Sequence, residues 1–154
     1  MVIRLTNTQK YNYRKVIRRD KIDSMRAGTV IYNPKEKEVL LIHRLKNGRE
    51  YWVNPGGTVE ENESALEAAI RETHEEINLK LLPQNLKPFV EFQTTKKEVY
   101  FITELLEKSE FEIHGEEKER SSKDNIYQPT WVPISEIQHI ELVPEELKKS
   151  IVEM

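Results

Sequence analysis

A glycine pair followed by an acid-rich helical pattern is the feature that most constrains this sequence. Over residues 64–77 the apolar side chains recur at three- and four-residue spacing, which predicts one helix with a single buried stripe. Ser64 and Glu67 fit a capping box at its start. Residues 54–57, Asn-Pro-Gly-Gly, predict a loop whose backbone is sharply bent or closely approached. The sequence therefore sets a glycine loop beside a half-buried helix.

Glu72, Glu75 and Glu76 share one edge of this predicted helix. At about 100° per residue they fall within roughly a third of the circumference, away from the apolar stripe. Like charges at this spacing destabilise each other, so a positive partner is expected. Arg71 alone cannot balance three carboxylates, and a chain without cysteine offers oxygen ligands, which favours Mg²⁺ or Mn²⁺. The alternative interpretation is an ordinary solvated helix face.

The remainder of the chain predicts short strands joined by turns. Apolar, β-branched and aromatic runs predict strands at 27–32, 39–43, 51–53, 99–105, 111–113 and 129–132, and a closing helix at 144–152. Strands outnumber helices without strict βαβ alternation, which favours an α+β sandwich with a mixed sheet. The length of 154 residues, 37% of them hydrophobic, suits one globular domain over residues 1–154.

The charge is distributed unevenly. Residues 1–26 form a basic N-terminal segment with a net charge of +6, although the whole chain carries −3. Such asymmetry fits a solvated basic face or a surface that attracts polyanions. The N-terminus lacks the apolar run of a signal peptide, and no segment reaches the roughly 18–20 apolar residues of a membrane span. A cytoplasmic location without a membrane partner is expected.

Within residues 57–79, five residues separate Gly57 from Glu63 and seven separate Glu63 from Arg71, which is followed by Glu72, Glu75 and Glu76. This pattern resembles the signature of the Nudix hydrolases, a MutT-like family. One position departs from that signature, because Asn78 stands where the family has glycine near the helix end. Asparagine tolerates the left-handed backbone next best, so we expect a modest stability cost and unchanged chemistry. The resemblance rests on Gly57, Glu63, Arg71, Glu72, Glu75 and Glu76, with both internal spacings of the signature intact.

The resemblance implies an α/β/α sandwich around a mixed β-sheet. It also implies a hydrolase that cleaves a phosphoanhydride bond of a nucleoside diphosphate linked to another group, with Mg²⁺ or Mn²⁺ as cofactor. By resemblance, Glu72, Glu75 and Glu76 are metal ligands, with the Gly56 carbonyl as a further one.

Two further roles follow from the same resemblance. Arg71 would orient the acids by charge-assisted hydrogen bonds, and Glu63 would pair back to the helix or its loop. The family places its general base variously, on the helix or on a downstream loop. We favour Glu117 slightly over its neighbours Glu116 and Glu119, and otherwise Glu72 or Glu76 takes that role.

Candidate substrate contacts lie just before the helix. Arg44 and Arg49 are candidates for phosphate contact, and Gly57 for backbone contact. Tyr51, Trp52, Tyr100 and Trp131 are expected mainly in the core, with at most one or two of them lining the site.

The nature of the substrate is inferred by elimination. Motifs typical of members directed at NADH, coenzyme A or ADP-ribose are not found in their expected places. A nucleoside or deoxynucleoside triphosphate, oxidised forms included, is therefore the leading hypothesis. ADP-ribose and dinucleoside polyphosphates stay open as substrates, as does a noncatalytic nucleotide- or RNA-binding module on the same fold. RNA is not favoured as a partner, and a homodimer is left open.

Overall fold

The computed structural model describes residues 25–108, 111 and 125–154 of the chain. Seven strands, three α-helices and a short 3₁₀ helix are formed in these ranges. In chain order they are β1 (Met25–Asn33), β2 (Glu38–Lys46), β3 (Arg49–Val53), β4 (Gly56–Thr58), α1 (Ala65–Ile77), the 3₁₀ helix (Pro83–Asn85), β5 (Lys87–Gln93), β6 (Lys97–Glu104), β7 (Asn125–Pro133), α2 (Ile134–Ile137) and α3 (Glu145–Val152).

The strands form one mixed sheet with helices on both faces. β1 runs parallel to β6 and antiparallel to β2 and β4, and β5 pairs with the other side of β6. β2 pairs with both β3 and β7. Helix α1 packs on one face through a core that includes Ala69 and Val99, while α2 and α3 pack on the opposite face through Ile137 and Leu147. The predicted mixed-sheet sandwich is therefore confirmed.

Strand β1 has two different neighbours along one edge. Its first residues pair with β4, where Ala27 lies opposite Gly57, and its last residues pair with β2. Between these pairings the Thr29 amide donates to the Pro55 carbonyl at 3.0 Å. A Cβ atom on Gly28 would lie 2.4 Å from that carbonyl oxygen, so only glycine permits the approach. This arrangement fixes β4 beside α1.

Helix α1 begins and ends where its sequence predicts. The Ser64 hydroxyl accepts a hydrogen bond from the Glu67 amide at 3.1 Å. Asn78 closes the helix in the left-handed conformation, with φ 57° and ψ 27°, and its amide donates to the His74 carbonyl. Within the described ranges, none of the helices is both long and apolar enough to cross a bilayer.

Some elements differ from the prediction. The loop predicted at Gly56 and Gly57 is the short strand β4, because the first half of β1 supplies its backbone partners. β5 was not predicted, since Pro88 masks a strand that tolerates proline at the sheet edge. The closing helix starts one residue after Pro144, which caps it. Phe111 has no regular structure, and residues 112–113 lie outside the described ranges.

Candidate active site

Arg71 connects the acidic groups of the helix and the loop before it. Its Nε and Nη2 atoms donate to the two Glu63 carboxylate oxygens at 2.7 and 3.0 Å, which is a bidentate pair. Its Nη1 donates to Glu72 at 2.9 Å and to Glu75 at 3.2 Å. Nη2 also donates to the Thr58 carbonyl at 3.1 Å. One guanidinium therefore fixes three carboxylates and the end of β4 relative to each other.

Glu63 links the loop to this guanidinium. In addition to Arg71, its Oε1 accepts a hydrogen bond from the Glu60 amide at 3.0 Å. Burial disfavours the charged carboxylate, but the hydrogen bonds from Arg71 and the Glu60 amide outweigh it and lower the pKa of Glu63. The hydrogen bond to Glu63 is the largest cause that raises the pKa of Arg71, and the charge of Glu72 adds to it against the opposing effect of burial. Both groups are therefore charged at neutral pH.

Glu72 lies directly against the glycine strand. A Cβ atom on Gly57 would sit 2.4 Å from the Glu72 carboxyl carbon, so the missing side chain makes room for this carboxylate. Burial raises the pKa of Glu72, and the charge and hydrogen bond of Arg71 offset only part of that increase. Any additional positive charge nearby would thus stabilise the charged form of Glu72.

Glu76 is the most deeply buried acid of the cluster, with 5% of its surface exposed. Its Oε1 accepts a hydrogen bond from the Gly56 amide at 3.2 Å. Glu75, by contrast, has 54% of its side chain exposed. The glycine strand therefore contacts two of the three acids. Glu72 occupies the space that the missing side chain of Gly57 leaves, and Glu76 accepts a hydrogen bond from the Gly56 amide.

The acid cluster matches a hard divalent cation in donor chemistry. Carboxylates of Glu72, Glu75 and Glu76 and backbone carbonyls of β4 are oxygen donors, the ligands that Mg²⁺ prefers. In the part of the chain that the structure describes, no three His, Asp or Glu side chains converge on one point. The carboxylates occupy the positions that Arg71 and the Gly56 amide give them.

A second cation, Arg26, acts on the cluster through its charge, although its sequence position assigned it to the basic N-terminal segment. It lies opposite Glu98 in the register of β1 and β6 and hydrogen-bonds to Tyr100. Burial lowers the pKa of Arg26, but Tyr100, Glu76 and Glu98 outweigh that effect and raise it. Arg26 also lowers the pKa of Glu72 through its charge. The charge of this guanidinium thus acts on two acids of α1.

Glu98 and Tyr100 hold Arg26 in place. The buried Tyr100 hydroxyl donates to Glu98 at 2.6 Å, and the Thr94 hydroxyl donates to the other Glu98 oxygen at 2.8 Å. Burial raises the pKa of the Tyr100 phenol. Glu98 directly precedes the predicted strand 99–105 that contains Tyr100, and no local pattern indicated which strand would pair with it.

The two arginines proposed as substrate contacts have different surroundings. Arg44 lies between Tyr51 and Tyr127, with its Cζ 3.8 Å from the Tyr127 ring centroid. Arg49 is 58% exposed and forms a salt bridge of 2.6 Å with Glu141. Tyr127, which stacks on Arg44, was not among the site residues predicted from the sequence.

The candidate general base falls outside the described residues. Glu117 and its neighbours Glu116 and Glu119 belong to the segment 112–124, so their placement relative to α1 stays a prediction.

Comparison with known proteins gives the same family throughout. The family model described as NUDIX domain matches residues 24–152. Nudix hydrolase 6 of Arabidopsis thaliana is 33% identical over 117 residues, which is 71% of this chain. The match spans only 39% of that relative's length.

Solved structures share the fold at low sequence identity. The MutT protein from Methanosarcina mazei Go1 superposes with a TM-score of 0.58 at 24% identity, over 84% of this chain and 90% of that one. The Escherichia coli dihydroneopterin triphosphate pyrophosphohydrolase gives 0.60 at 20% identity, over 85% and 94% of the two chains. A Caenorhabditis elegans Ap4A hydrolase gives 0.57 at 22% identity, over 83% and 93%.

Proposed function

The chain belongs to the Nudix family, and from this premise we propose that it hydrolyses a phosphoanhydride bond of a nucleoside diphosphate linked to another group. The observation that carries the proposal is the acid cluster of α1 held by Arg71 against the glycine strand. Three crowded carboxylates destabilise a helix by themselves, so a purely structural role does not explain them. A nucleotide-binding module without catalysis would have no need of them.

The cofactor of this proposal is Mg²⁺ or Mn²⁺. Glu72, Glu75 and Glu76 would hold it, together with the Gly56 carbonyl. When bound, the ion would neutralise phosphate charge and lower the pKa of water. The donor set supports this choice, because every candidate ligand is an oxygen atom.

The chain's own residues would orient and charge this site. Arg71 fixes the directions of Glu72 and Glu75, and Glu63 fixes Arg71, so the two form a positioning pair. Glu117 is our candidate to accept the proton of the attacking water, with Glu72 or Glu76 as the alternative. Backbone groups at Gly57 are our candidates for contact with the phosphates.

The substrate we propose is a nucleoside or deoxynucleoside triphosphate, oxidised forms included. The fold supports it only generally, since the similar structures include a MutT, a dihydroneopterin triphosphate pyrophosphohydrolase and an Ap4A hydrolase. ADP-ribose and dinucleoside polyphosphates are the competing substrates. We also propose a cytoplasmic location, because the cytoplasm holds all these compounds and Mg²⁺.

A substrate panel tests the proposal directly. The protein is incubated with nucleoside triphosphates, an oxidised deoxyguanosine triphosphate, ADP-ribose and Ap4A, each with Mg²⁺ or Mn²⁺ at neutral and alkaline pH. Products are separated by ion-exchange chromatography. We expect phosphoanhydride cleavage of at least one triphosphate, and its loss in Glu76→Gln identifies the chain as the source. Cleavage of no compound under any condition would refute the hydrolase.

A further inference from the structure

Three side chains form one row across β3, β2 and β7. Tyr51 and Tyr127 lie directly opposite Arg44 in the two strand pairings, so the three alternate as ring, guanidinium and ring. The Arg44 Cζ lies 3.8 Å from the Tyr127 centroid and 5.3 Å from the Tyr51 centroid. Guanidinium groups stack at such distances on aromatic faces. We name this row the Tyr–Arg–Tyr clamp.

The guanidinium of the clamp differs from the other arginines of the site. Arg71 and Arg49 donate to carboxylates at 2.6–3.2 Å. The Arg44 Nε, in contrast, is buried and has no hydrogen-bond partner within residues 25–108, 111 and 125–154. An unsatisfied buried donor destabilises a protein, and more so when it is charged. Stacking on the two rings covers Nε and fixes the plane of the guanidinium, so the terminal Nη1 and Nη2 groups are the donors that a ligand can reach.

The clamp lies on the same face of the sheet as α1. Alternation along β2 puts Arg44 on the side of Leu40 and Ile42, which pack with Ile77 of α1 in one cluster. Val53 of β3 joins that cluster next to Ile42, and the glycine strand begins three residues later. The clamp and the acid cluster thus border the same side of the sheet.

Strand geometry limits the distance between the two. Arg44 is two residues from Ile42, and Gly56 is three residues from Val53, which lies opposite Ile42. At about 3.4 Å per residue and about 4.8 Å between strands, the path measures at most about 22 Å. A nucleotide bridges a separation of this order through its phosphates, ribose and base. A group at the clamp therefore belongs to the far part of a substrate whose pyrophosphate lies at the acids.

We propose that Arg44, fixed by Tyr51 and Tyr127, determines which group the substrate carries beyond its pyrophosphate. This proposal rests on the proposed function for the position of the pyrophosphate. A stacked guanidinium presents two donors in one plane, so the chemistry it takes is a pair of coplanar acceptors. Such a pair is supplied by O6 and N7 of guanine or by the oxygens of a distal phosphate. Adenine offers one acceptor beside a donor and does not match.

Kinetics of clamp variants test the proposal with GTP, ATP and Ap4A. Arg44→Met should raise KM about tenfold or more with kcat nearly unchanged, because charged hydrogen bonds to the distal group are lost. If guanine supplies the acceptors, the increase is confined to GTP. If a distal phosphate supplies them, it is confined to Ap4A. Lys46→Met is the matched control, since it removes an exposed charge two residues further along the same strand face.

The rings provide a second test of the clamp. Tyr127→Leu should raise the same KM at least about threefold, and Tyr127→Phe should restore it, because only the ring is needed for stacking. Thermal denaturation accompanies each variant. Unchanged KM for all three substrates would overturn the proposal. A fall of kcat and melting temperature together, at unchanged KM, would also overturn it by showing a structural role.

Equilibrium binding separates this proposal from the hydrolase. Calorimetry with GDP and Ap4A in EDTA needs no turnover, and these two compounds carry guanine or distal phosphates, so it reports the clamp alone. Binding of either nucleotide that weakens about tenfold in Arg44→Met, and not in Lys46→Met, supports the clamp even if the substrate panel is negative. Turnover by the wild-type protein together with equal KM in Arg44→Met refutes the clamp and leaves the hydrolase standing.

Discussion

Gly57→Ala should lower the activity that we propose while leaving the stability of the fold nearly unchanged. The new Cβ atom would lie 2.4 Å from the Glu72 carboxyl carbon, whereas ordinary contacts begin at 3.4 Å, so the carboxylate must move by about 1 Å. Because the carboxylate ends a flexible side chain, its displacement should cost the fold little. A misplacement of about 1 Å at a reacting group lowers rates about 100-fold. We therefore expect kcat/KM to fall by about two orders of magnitude with a melting temperature close to that of the wild type.

The matched control is Gly48→Ala, which we expect to change the stability of the fold and not the activity. Gly48 has φ +80°, and a Cβ atom added there would meet no atom within 4 Å, so alanine at this position is strained but uncrowded. Gly48→Ala should lower the free energy of unfolding by about 1 kcal/mol and leave kcat/KM unchanged. Both variants are measured by steady-state hydrolysis and urea denaturation. Wild-type kcat/KM in Gly57→Ala would refute the reasoning, because Glu72 would then not need its present position.

The remaining predictions concern the charges around the site. Folding lowers the pKa of Glu63, so its ionisation stabilises the fold above the unfolded pKa and that contribution disappears as the pH falls through the folded pKa. Glu63→Gln should therefore cost about 1–3 kcal/mol in urea denaturation at pH 7 and progressively less as the pH is lowered below about 4; a cost independent of pH would contradict it. Arg26→Met should cost about 1–3 kcal/mol because it removes the positive charge beside Tyr100 and Glu98, and adding Glu98→Gln should recover part of this in a double-mutant cycle. Additive losses would exclude the coupling. Glu75→Gln and Glu76→Gln should lower kcat by orders of magnitude while circular dichroism stays native, and wild-type turnover in both would refute the ligand assignment.

Local signals in the sequence were sufficient for helix α1. Its apolar spacing, its serine cap and the left-handed Asn78 all act within a few residues, so the sequence alone predicts both ends. The family resemblance indicated that Glu63 pairs back to the helix or its loop, and the structure identifies Arg71, eight residues further along the chain, as its partner. Strand β5 was missed because its edge position lets it carry Pro88 and polar residues, which resemble a loop.

Contacts between distant segments were not predictable from the sequence. Arg26 meets Glu98 only because β1 and β6 pair in parallel, with the whole of α1 and four further strands between them in the chain. Tyr127 meets Arg44 only through the register of β2 with β7. A shift of one residue in either register would turn these side chains to the opposite face, and no local pattern fixes that register.

Two arginines from different parts of the chain stabilise the same group of acids. Arg71 reaches Glu72 and Glu75 from the solvent side, while Arg26 acts on Glu72 and Glu76 from within the sheet. Their positive charge explains how a folded helix keeps three acids on one edge, even though burial alone would raise the pKa of Glu72. Arg71 is in turn fixed by Glu63, and Arg26 by Glu98 and Tyr100, so each cation has a counter-ion that lies outside the cluster. The acids are therefore oriented by the fold itself, and the catalytic use that we propose for them requires little further ordering of the chain.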